Sequence, residues 1–214
     1  MVTRVHENRR ISPRLPRSRG VTLVELIFGL IIAAILVAIA APALQVAMGR
    51  NSVDAEAQRL ISDIRFARSE AITRGVYVNI CISVASTCDP GDPATCRCRS
   101  GVPAKRWDQG WLIYTAANGR DDFNSDRDQL IRIGIAARIG VEMRSNVAIQ
   151  HRMSFNRAGA LQAGIGGRVA VCQDGESTEE IPGKMINLAA TGHAGLATLL
   201  PGEDCLTLQG RGPG

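Results

Sequence analysis

The spacing of apolar positions divides the chain into three regions. From Leu26 to Ala41 no charged or strongly polar side chain occurs, and milder flanks extend this run from Val21 to Met48. At about 1.5 Å rise per residue such a helix crosses a hydrocarbon core of about 30 Å, so residues 21–48 are expected to span a membrane. From Val46 to Arg74 the apolar positions thin to a stripe. Val53, Ala57, Leu60, Ile61, Ile64, Ala67 and Ala71 recur at spacings of three and four, one face of a helix. Asp54, Glu56, Arg59, Asp63, Arg65, Arg68 and Glu70 fall mainly elsewhere, and Arg65, Arg68 and Arg74 read as a solvated helix face. Gly75 suits a helix stop. Gly29, Pro42 and Gly49 are points where the helix is expected to bend or loosen.

After Gly75 the period becomes two. Val76, Val78, Ile80 and Ile82 alternate with Tyr77, Asn79, Cys81 and Ser83, which predicts a half-buried strand. Further short strands are expected at Trp111 to Thr115, Leu130 to Ile135, Val147 to Gln150, Arg168 to Cys172, Lys184 to Ala189 and Leu206 to Gln209, punctuated by Gly, Pro and Asn/Asp clusters. One helix followed by about seven short strands is an α+β pattern. No internal repeat is apparent.

Charge adds a direction to the first segment. Arg4, Arg9, Arg10, Arg14, Arg17 and Arg19 precede it, against the single acid Glu7. Positive flanks stay in the cytoplasm, so everything after Met48 is expected outside it. Those leader charges account for the whole formal net charge of +5, and basicity therefore gives no support to a nucleic-acid partner. Ala38-Ile39-Ala40 and Ala41-Pro42-Ala43 have the look of signal-peptide cleavage sites, but the apolar run exceeds a usual signal core and begins with a carboxylate, Glu25. In a plain membrane anchor Glu25 costs a few kcal/mol without explanation.

A basic leader, then Gly20, four apolar or small residues and Glu25, with Pro42 further on, resembles the class III signal of type IV pilins and pseudopilins. The resemblance implies cleavage after Gly20 by a prepilin peptidase, methylation of the new N-terminus at Val21, a helix kink at Pro42, and filament assembly in which Glu25 meets the freed amine of a neighbouring subunit. The succession RFARSEAITRG, VYVNICIS, WDQGWLIYTAANG, DRDQLIRI, MSFNRAGAL and VAVCQDG narrows this. It resembles the minor pseudopilins of the GspH/FimT group, from Gly20 to about Leu199. That implies a transmembrane helix, type IV pilin-like, continuing into a helix packed on an antiparallel β-sheet or β-sandwich domain. The expected organisation is a leader at 1–20, a membrane and filament helix at 21–48, a soluble half-helix at 49–75 and a periplasmic β-rich domain at 76–214. The implied partners are other pilins or pseudopilins, the prepilin peptidase and an inner-membrane assembly platform. The implied location is the inner membrane, single-pass with a cytoplasmic N-terminus, and then a filament. The implied role is filament initiation in a type II secretion pseudopilus or a type IV pilus; the alternative is a DNA-binding minor pilin for DNA uptake.

Residues 87–106 look like an insertion after the first strand. Their Pro, Gly, Cys and Arg content reads as a stapled loop. Cys81, Cys88, Cys96 and Cys98 have spacings foreign to common zinc knuckles, and in an exported domain disulfides are favoured. The family's C-terminal staple suggests Cys172 with Cys205, leaving the other four to pair among themselves; sequence alone does not choose among the 15 connectivities of six cysteines. DNA-binding members of the group carry a C-terminal glycine-arginine-x-arginine motif. The matching stretch here, Thr191-Gly192-His193-Ala194-Gly195, keeps the glycine and lacks both arginines. Arg211 in the terminal Gly210–Gly214 tail restores one at most. The remaining candidates for DNA contact are Arg97, Arg99, Lys105 and Arg106 in the inserted loop; Trp107, Trp111, Tyr77 and Tyr114 read as core.

Asp122, Asn124, Asp126 and Asp128 alternate like the first half of a calcium loop, but Arg127 stands in place of the required glycine and Ile133 in place of the closing glutamate. A polar hairpin turn is the simpler expectation. With His6 in the leader and His151 and His193 isolated, no nucleophile elbow, phosphate loop or HExxH helix is present. No catalytic activity and no cofactor are expected.

Overall fold

The computed structural model describes residues 21–83, 87–99, 106–146, 148–149, 151–203 and 205. The leader with Gly20, Lys105, the expected strand Leu206–Gln209 and Arg211 lie outside them. Two compact units divide the chain, Met1–Ala43 and Leu44–Gly214.

Helix α1 runs over Leu23–Arg74. Every residue from Val21 to Gln45, the start of α1 and the two residues before it, is exposed. In the second unit its stripe of Val53, Ala57, Leu60, Ile61, Ile64, Ala67 and Ala71 is fully buried. Gly75, at φ +64°, ends the helix, its N–H bonding to Ala71 C=O at 3.0 Å, a left-handed position that suits glycine.

Eight strands follow among the described residues: β1 (Tyr77–Ile82), β2 (Trp111–Ala116), β3 (Leu130–Gly134), β4 (Val141–Ser145), β5 (Arg152–Phe155), β6 (Gly167–Gln173), β7 (Lys184–Leu188) and β8 (Ala194–Thr198). They form two four-stranded sheets ordered β3-β2-β1-β5 and β4-β6-β7-β8. All strand pairs are antiparallel. Of the strand expected at Val147 to Gln150, the described residues Ala148 and Ile149 lie in a turn, with Ile149 still reaching the core. Strands β4, β5 and β8 take places that no expected strand occupied.

One core joins the helical stripe to the inner faces of both sheets: Val78, Ile80 and Ile82 of β1, Met153 and Phe155 of β5, Val169 and Val171 of β6, and Ile186 of β7. β1 departs from the half-buried expectation, since Asn79 and Cys81 on its other face are also buried. A second cluster of Cys81, Cys88, Cys96, Leu112, Tyr114 and Phe123 lies there, because the inserted loop folds over that face. A third, with Ala170, Cys172, Leu199 and Cys205, covers the outside of β6.

Two acids assigned to the polar side of α1 are buried instead. Asp63 accepts from Trp111 Nε1 at 2.8 Å and from Arg132 Nη1 at 2.7 Å. Glu56 pairs with Arg59 at 2.6 Å and accepts from Arg138 N–H at 3.2 Å. The Arg59 guanidinium lies 5.0 Å from the Trp111 ring centre, and that of Arg132 lies 3.9 Å from Phe66. Polar groups in an apolar seam are stable only when partnered, and these pairs join α1 to β2 and β3.

Asp63→Ala strips two charge-assisted bonds and strands a buried indole N–H. It is expected to lower the unfolding free energy by about 2–3 kcal/mol in urea, with Asp63→Asn losing less. Equal stability of Asp63→Ala and wild type would remove Asp63 from the seam's energetics.

Tyr114 supplies a second test. Burial pushes its hydroxyl up to about 12, partly opposed by the hydrogen bond from Asn79. A raised folded value favours the protonated phenol, so this contribution is complete below about pH 10 and is lost as pH rises from there to about 12. Over that interval the stability advantage of wild type over Tyr114→Phe is expected to shrink, and phenolate absorbance should lose its latest-titrating component in the variant. A constant advantage, or ionisation at the ordinary phenol value, would contradict the burial.

Candidate functional site

The first turn of α1 carries the residues that the sequence singled out. Thr22 caps it: its Oγ1 accepts the Glu25 N–H at 3.2 Å, and its C=O accepts the Leu26 N–H at 3.1 Å. Thr22-x-x-Glu25 therefore has the spacing of a capping box, with a carboxylate at the positive end of the helix dipole. That role was readable in the spacing and was missed, because Glu25 drew attention only as a buried charge needing a partner. No ion pair to Glu25 occurs among the described residues. Pro42 lies inside α1, where it cannot return an N–H to the preceding turn.

All six cysteines are paired, as Cys81–Cys98, Cys88–Cys96 and Cys172–Cys205. Thiolate zinc ligation is thereby excluded. Cys81–Cys98 fastens the inserted loop to β1, and Cys88–Cys96 closes the loop on itself. Ser83 Oγ donates to Arg97 C=O at 2.9 Å and Arg99 N–H to Ile82 C=O at 2.8 Å, so the loop continues from the end of β1. Asp92 caps the 3₁₀ turn Pro93–Thr95.

The described candidate DNA-contact residues, Arg97, Arg99 and Arg106, are each hydrogen-bonded within the protein. Arg106 is clasped by Asp108, with Nη2 at 2.7 Å and Nε at 3.1 Å from Oδ2, and that carboxylate raises the guanidinium above its ordinary value. Arg97 Nη1 donates to Cys96 C=O at 3.0 Å, and Arg99 Nη1 to Gln109 Oε1. The Thr191–Gly195 stretch runs from the β7–β8 turn into the start of β8. Gly192 has φ +81°, and a Cβ there would stand 1.9 Å from Gly159 O and 3.0 Å from Arg68 Nε. Its glycine is required for docking this turn against the β5 return.

Arg65, Arg68 and Arg74 are likewise engaged rather than merely solvated. Arg65 donates to Ala194 C=O at 3.1 Å and Arg68 to Gly159 C=O at 2.9 Å, while Arg74 pairs with Glu70 at 2.5 Å.

The calcium-like residues are dispersed by their own contacts. Asp122 Oδ1 takes Arg152 Nη1 at 2.6 Å and lies 3.3 Å from His151 Nε2. Asn124 Oδ1 accepts the Asp126 N–H at 2.9 Å, Asp128 accepts the Asn124 N–H at 3.0 Å, and Asp128 meets Arg127 at 3.4 Å. This is a self-bonded turn. Among the described residues no group of three or more His, Cys, Asp or Glu is placed to hold a metal ion.

The family model described as type II transport protein GspH matches residues 56–184, and that of the prokaryotic N-terminal methylation motif matches residues 15–41. No curated protein matches significantly by sequence. Among solved structures the chain is similar to the type IV minor pilin FimU of Pseudomonas aeruginosa, at 18% identity and TM-score 0.50, covering 73% of this chain and 96% of that one. It is also similar to the minor pseudopilin EpsH of Vibrio cholerae's type 2 secretion system, at 14% identity and TM-score 0.43, covering 71% of this chain and 99% of that one. With the methylation motif at its head and the GspH model across more than half of its length, the chain belongs to the GspH family of minor pilins and pseudopilins.

Proposed function

We infer that this chain is a minor filament subunit, cleaved after Gly20, methylated at Val21, and built into a type II secretion pseudopilus or type IV pilus at the stage of filament initiation. The observation that carries this reading is the exposed apolar surface from Val21 to Gln45, whose single charge, Glu25, stands four residues from the new N-terminus. Lipid covers aliphatic side chains but offers a carboxylate no cation. The amine of a neighbouring subunit does, and a buried ion pair of that kind fixes register. The inner membrane holds the subunit before assembly, with the β-rich domain in the periplasm. The family implies processing by the prepilin peptidase and association with sister pilins or pseudopilins. The domain itself contributes shape and contacts, and no chemistry.

When the full chain is co-expressed with a prepilin peptidase and sister subunits, mass spectrometry of the mature protein is expected to find N-methylated Val21 as its first residue. Glu25→Ala is expected to insert and be cleaved normally, yet to lose at least about 90% of its co-purification with sister subunits, the tenfold loss that about 1.4 kcal/mol produces. A mature chain beginning after Ala43, or undiminished co-purification of the variant, would sink this reading.

DNA reception is disfavoured by the clasped Arg106 and by the turn that replaces the glycine-arginine-x-arginine motif. The mature chain in detergent is expected to show no retention of a duplex beyond the loose, non-specific range of about 10⁻⁴ to 10⁻⁶ M at physiological salt. Tight, steeply salt-dependent binding lost on replacing Arg97 and Arg99 would transfer the receptor role to the inserted loop.

A further inference from the structure

The cysteines of β1 and the inserted loop come in the order Cys81, Cys88, Cys96, Cys98, and they pair as Cys81–Cys98 and Cys88–Cys96. Cys81 is thus joined to the last of the four and not to the next one, with the Cys88–Cys96 bond nested inside that link. Cys172–Cys205, by contrast, joins two successive cysteines. Nothing in the assembly reading accounts for how the nested pairing is reached.

Two physical effects favour a different first product. Closing a flexible loop costs entropy that grows with its length. Cys88 lies seven residues beyond Cys81 and Cys98 lies 17 beyond it, which favours the nearer partner about fourfold. Order of emergence acts in the same direction. At about 5–20 residues per second, Cys88 follows Cys81 within about a second. The strands that hold β1 on either side, β2 and β5, end at Ala116 and Phe155, so the second of them arrives only about 4–15 s after Cys81. The turn between Cys88 and Cys96 does not pre-empt this. Its bonds, Gly91 N–H to Asp89 Oδ1 at 2.8 Å, Ala94 N–H to Asp92 Oδ1 at 3.2 Å and Asp89 N–H to Thr95 Oγ1 at 2.8 Å, are exposed. Such bonds compete with water for little net gain.

The native pairing has burial on its side. The Ser83 N–H bonds to Gly110 C=O at 2.9 Å, and the contacts of Ser83 Oγ with Arg97 and of Arg99 with Ile82 set Cys98 beside Cys81. There Cys98 Sγ accepts the Phe123 N–H at 3.4 Å and lies 3.6 Å from Tyr114 Oη. With Cys81 tied to Cys88 these contacts are not made, and Leu112, Tyr114 and Phe123 lose cover that the loop gives them. The mispaired chain is therefore a trap with a downhill exit. That exit requires a thiolate, since disulfides exchange by thiolate attack on sulfur.

We propose that this chain is a substrate of a thiol–disulfide isomerase, a dithiol protein that acts on exported domains, and that its target is a Cys81–Cys88 bond formed first. A disulfide-bearing oxidant of the same compartment makes that bond and a Cys96–Cys98 bond from the four thiols. The isomerase thiolate attacks the Cys88 sulfur, giving a mixed disulfide and releasing the Cys81 thiolate. Cys81 attacks the Cys98 sulfur and releases the Cys96 thiolate. Cys96 then attacks Cys88 in the mixed disulfide, which closes Cys88–Cys96 and restores the isomerase thiolate. Each disulfide broken is replaced by one formed, so the exchange consumes no oxidant or reductant. This rests on the reading that the β-rich domain is exported, and not on Glu25 or on filament assembly.

The test expresses the full chain in bacteria with and without a periplasmic disulfide isomerase and maps its disulfides by mass spectrometry without reduction. With the isomerase, all three native bonds are expected. Without it, Cys172–Cys205 is expected unchanged, while Cys81–Cys98 falls about fourfold in favour of Cys81–Cys88. A Cys88→Ser/Cys96→Ser variant leaves only successive partners, and its Cys81–Cys98 bond is expected to form equally in both strains. An isomerase lacking its second active-site cysteine is expected to be trapped in a mixed disulfide by wild type and not by the double variant. Native pairing of wild type without the isomerase, equal dependence of the double variant on it, or failure to trap the adduct would overturn the proposal and leave the filament reading standing. A chain with all six cysteines reduced would overturn both, because it would place the domain in a reducing compartment.

Discussion

Burial of one helical stripe is the constraint on which the domain depends. Val53, Leu60, Ile61 and Ile64 present a single apolar face, and both sheets turn their aliphatic residues toward it. Neither sheet has another α-helix among the described residues to close against. Hydrophobic burial alone leaves the helix free to slide, because it is non-directional. The buried acids remove that freedom. A shift of one turn, about 5.4 Å, would take Asp63 from Trp111 and Arg132 and leave a carboxylate unpartnered in the seam. Satisfying these few polar groups selects one register among many that would bury similar area.

The same logic is repeated on the outer faces. β1 and β6, like β2 and β7, have neighbours on both sides in their respective sheets. Each points aliphatic side chains at the helix and a cysteine the other way, Cys81 on β1 and Cys172 on β6. Each cysteine is stapled to a segment that covers its sheet, through Cys98 in the inserted loop and Cys205 near the C-terminus. Such covering segments have too little apolar surface to hold their position by burial alone. A cross-link lowers the entropy of the unfolded chain and so favours the covered state.

Much of this was legible in the sequence, and the exceptions have definite causes. The helical stripe, β1, β2, β3, β6 and β7 carry strong apolar periods. Val147 to Gln150 has the composition of a strand, yet Ile149 enters the core from a turn, which a pattern of residue types does not distinguish. β8 escaped notice because Ala194, Gly195 and Ala197 have little intrinsic strand preference; pairing with β7 holds them extended. Burial of Glu56 and Asp63 was readable after all, since Glu56, Leu60, Asp63 and Ala67 follow at spacings of four, three and four. The nested pairing of Cys81 with Cys98 and of Cys88 with Cys96 was not readable. All four lie close together in sequence, and only the fold sets Cys98 beside Cys81.

The arginines show how charge count and usable charge part company. Arg106, Arg132, Arg144 and Arg152 each face a carboxylate, and Arg65 and Arg68 are held against backbone carbonyls. Counterion release requires cations gathered on one surface and free to replace small ions around phosphates. Guanidiniums already neutralised nearby add little to such a surface. The larger unmet demand lies in the first part of α1, where aliphatic side chains face outward on every side. A membrane answers the aliphatic part of that demand. Thr22 answers the backbone at the helix start, since its side chain caps the first turn. Neither supplies a cation to the Glu25 carboxylate, and a lone subunit in lipid would keep that cost. On the assembly reading, a second chain presenting an amine at the same depth would remove it, and that is the physical ground for proposing association over solitary anchoring.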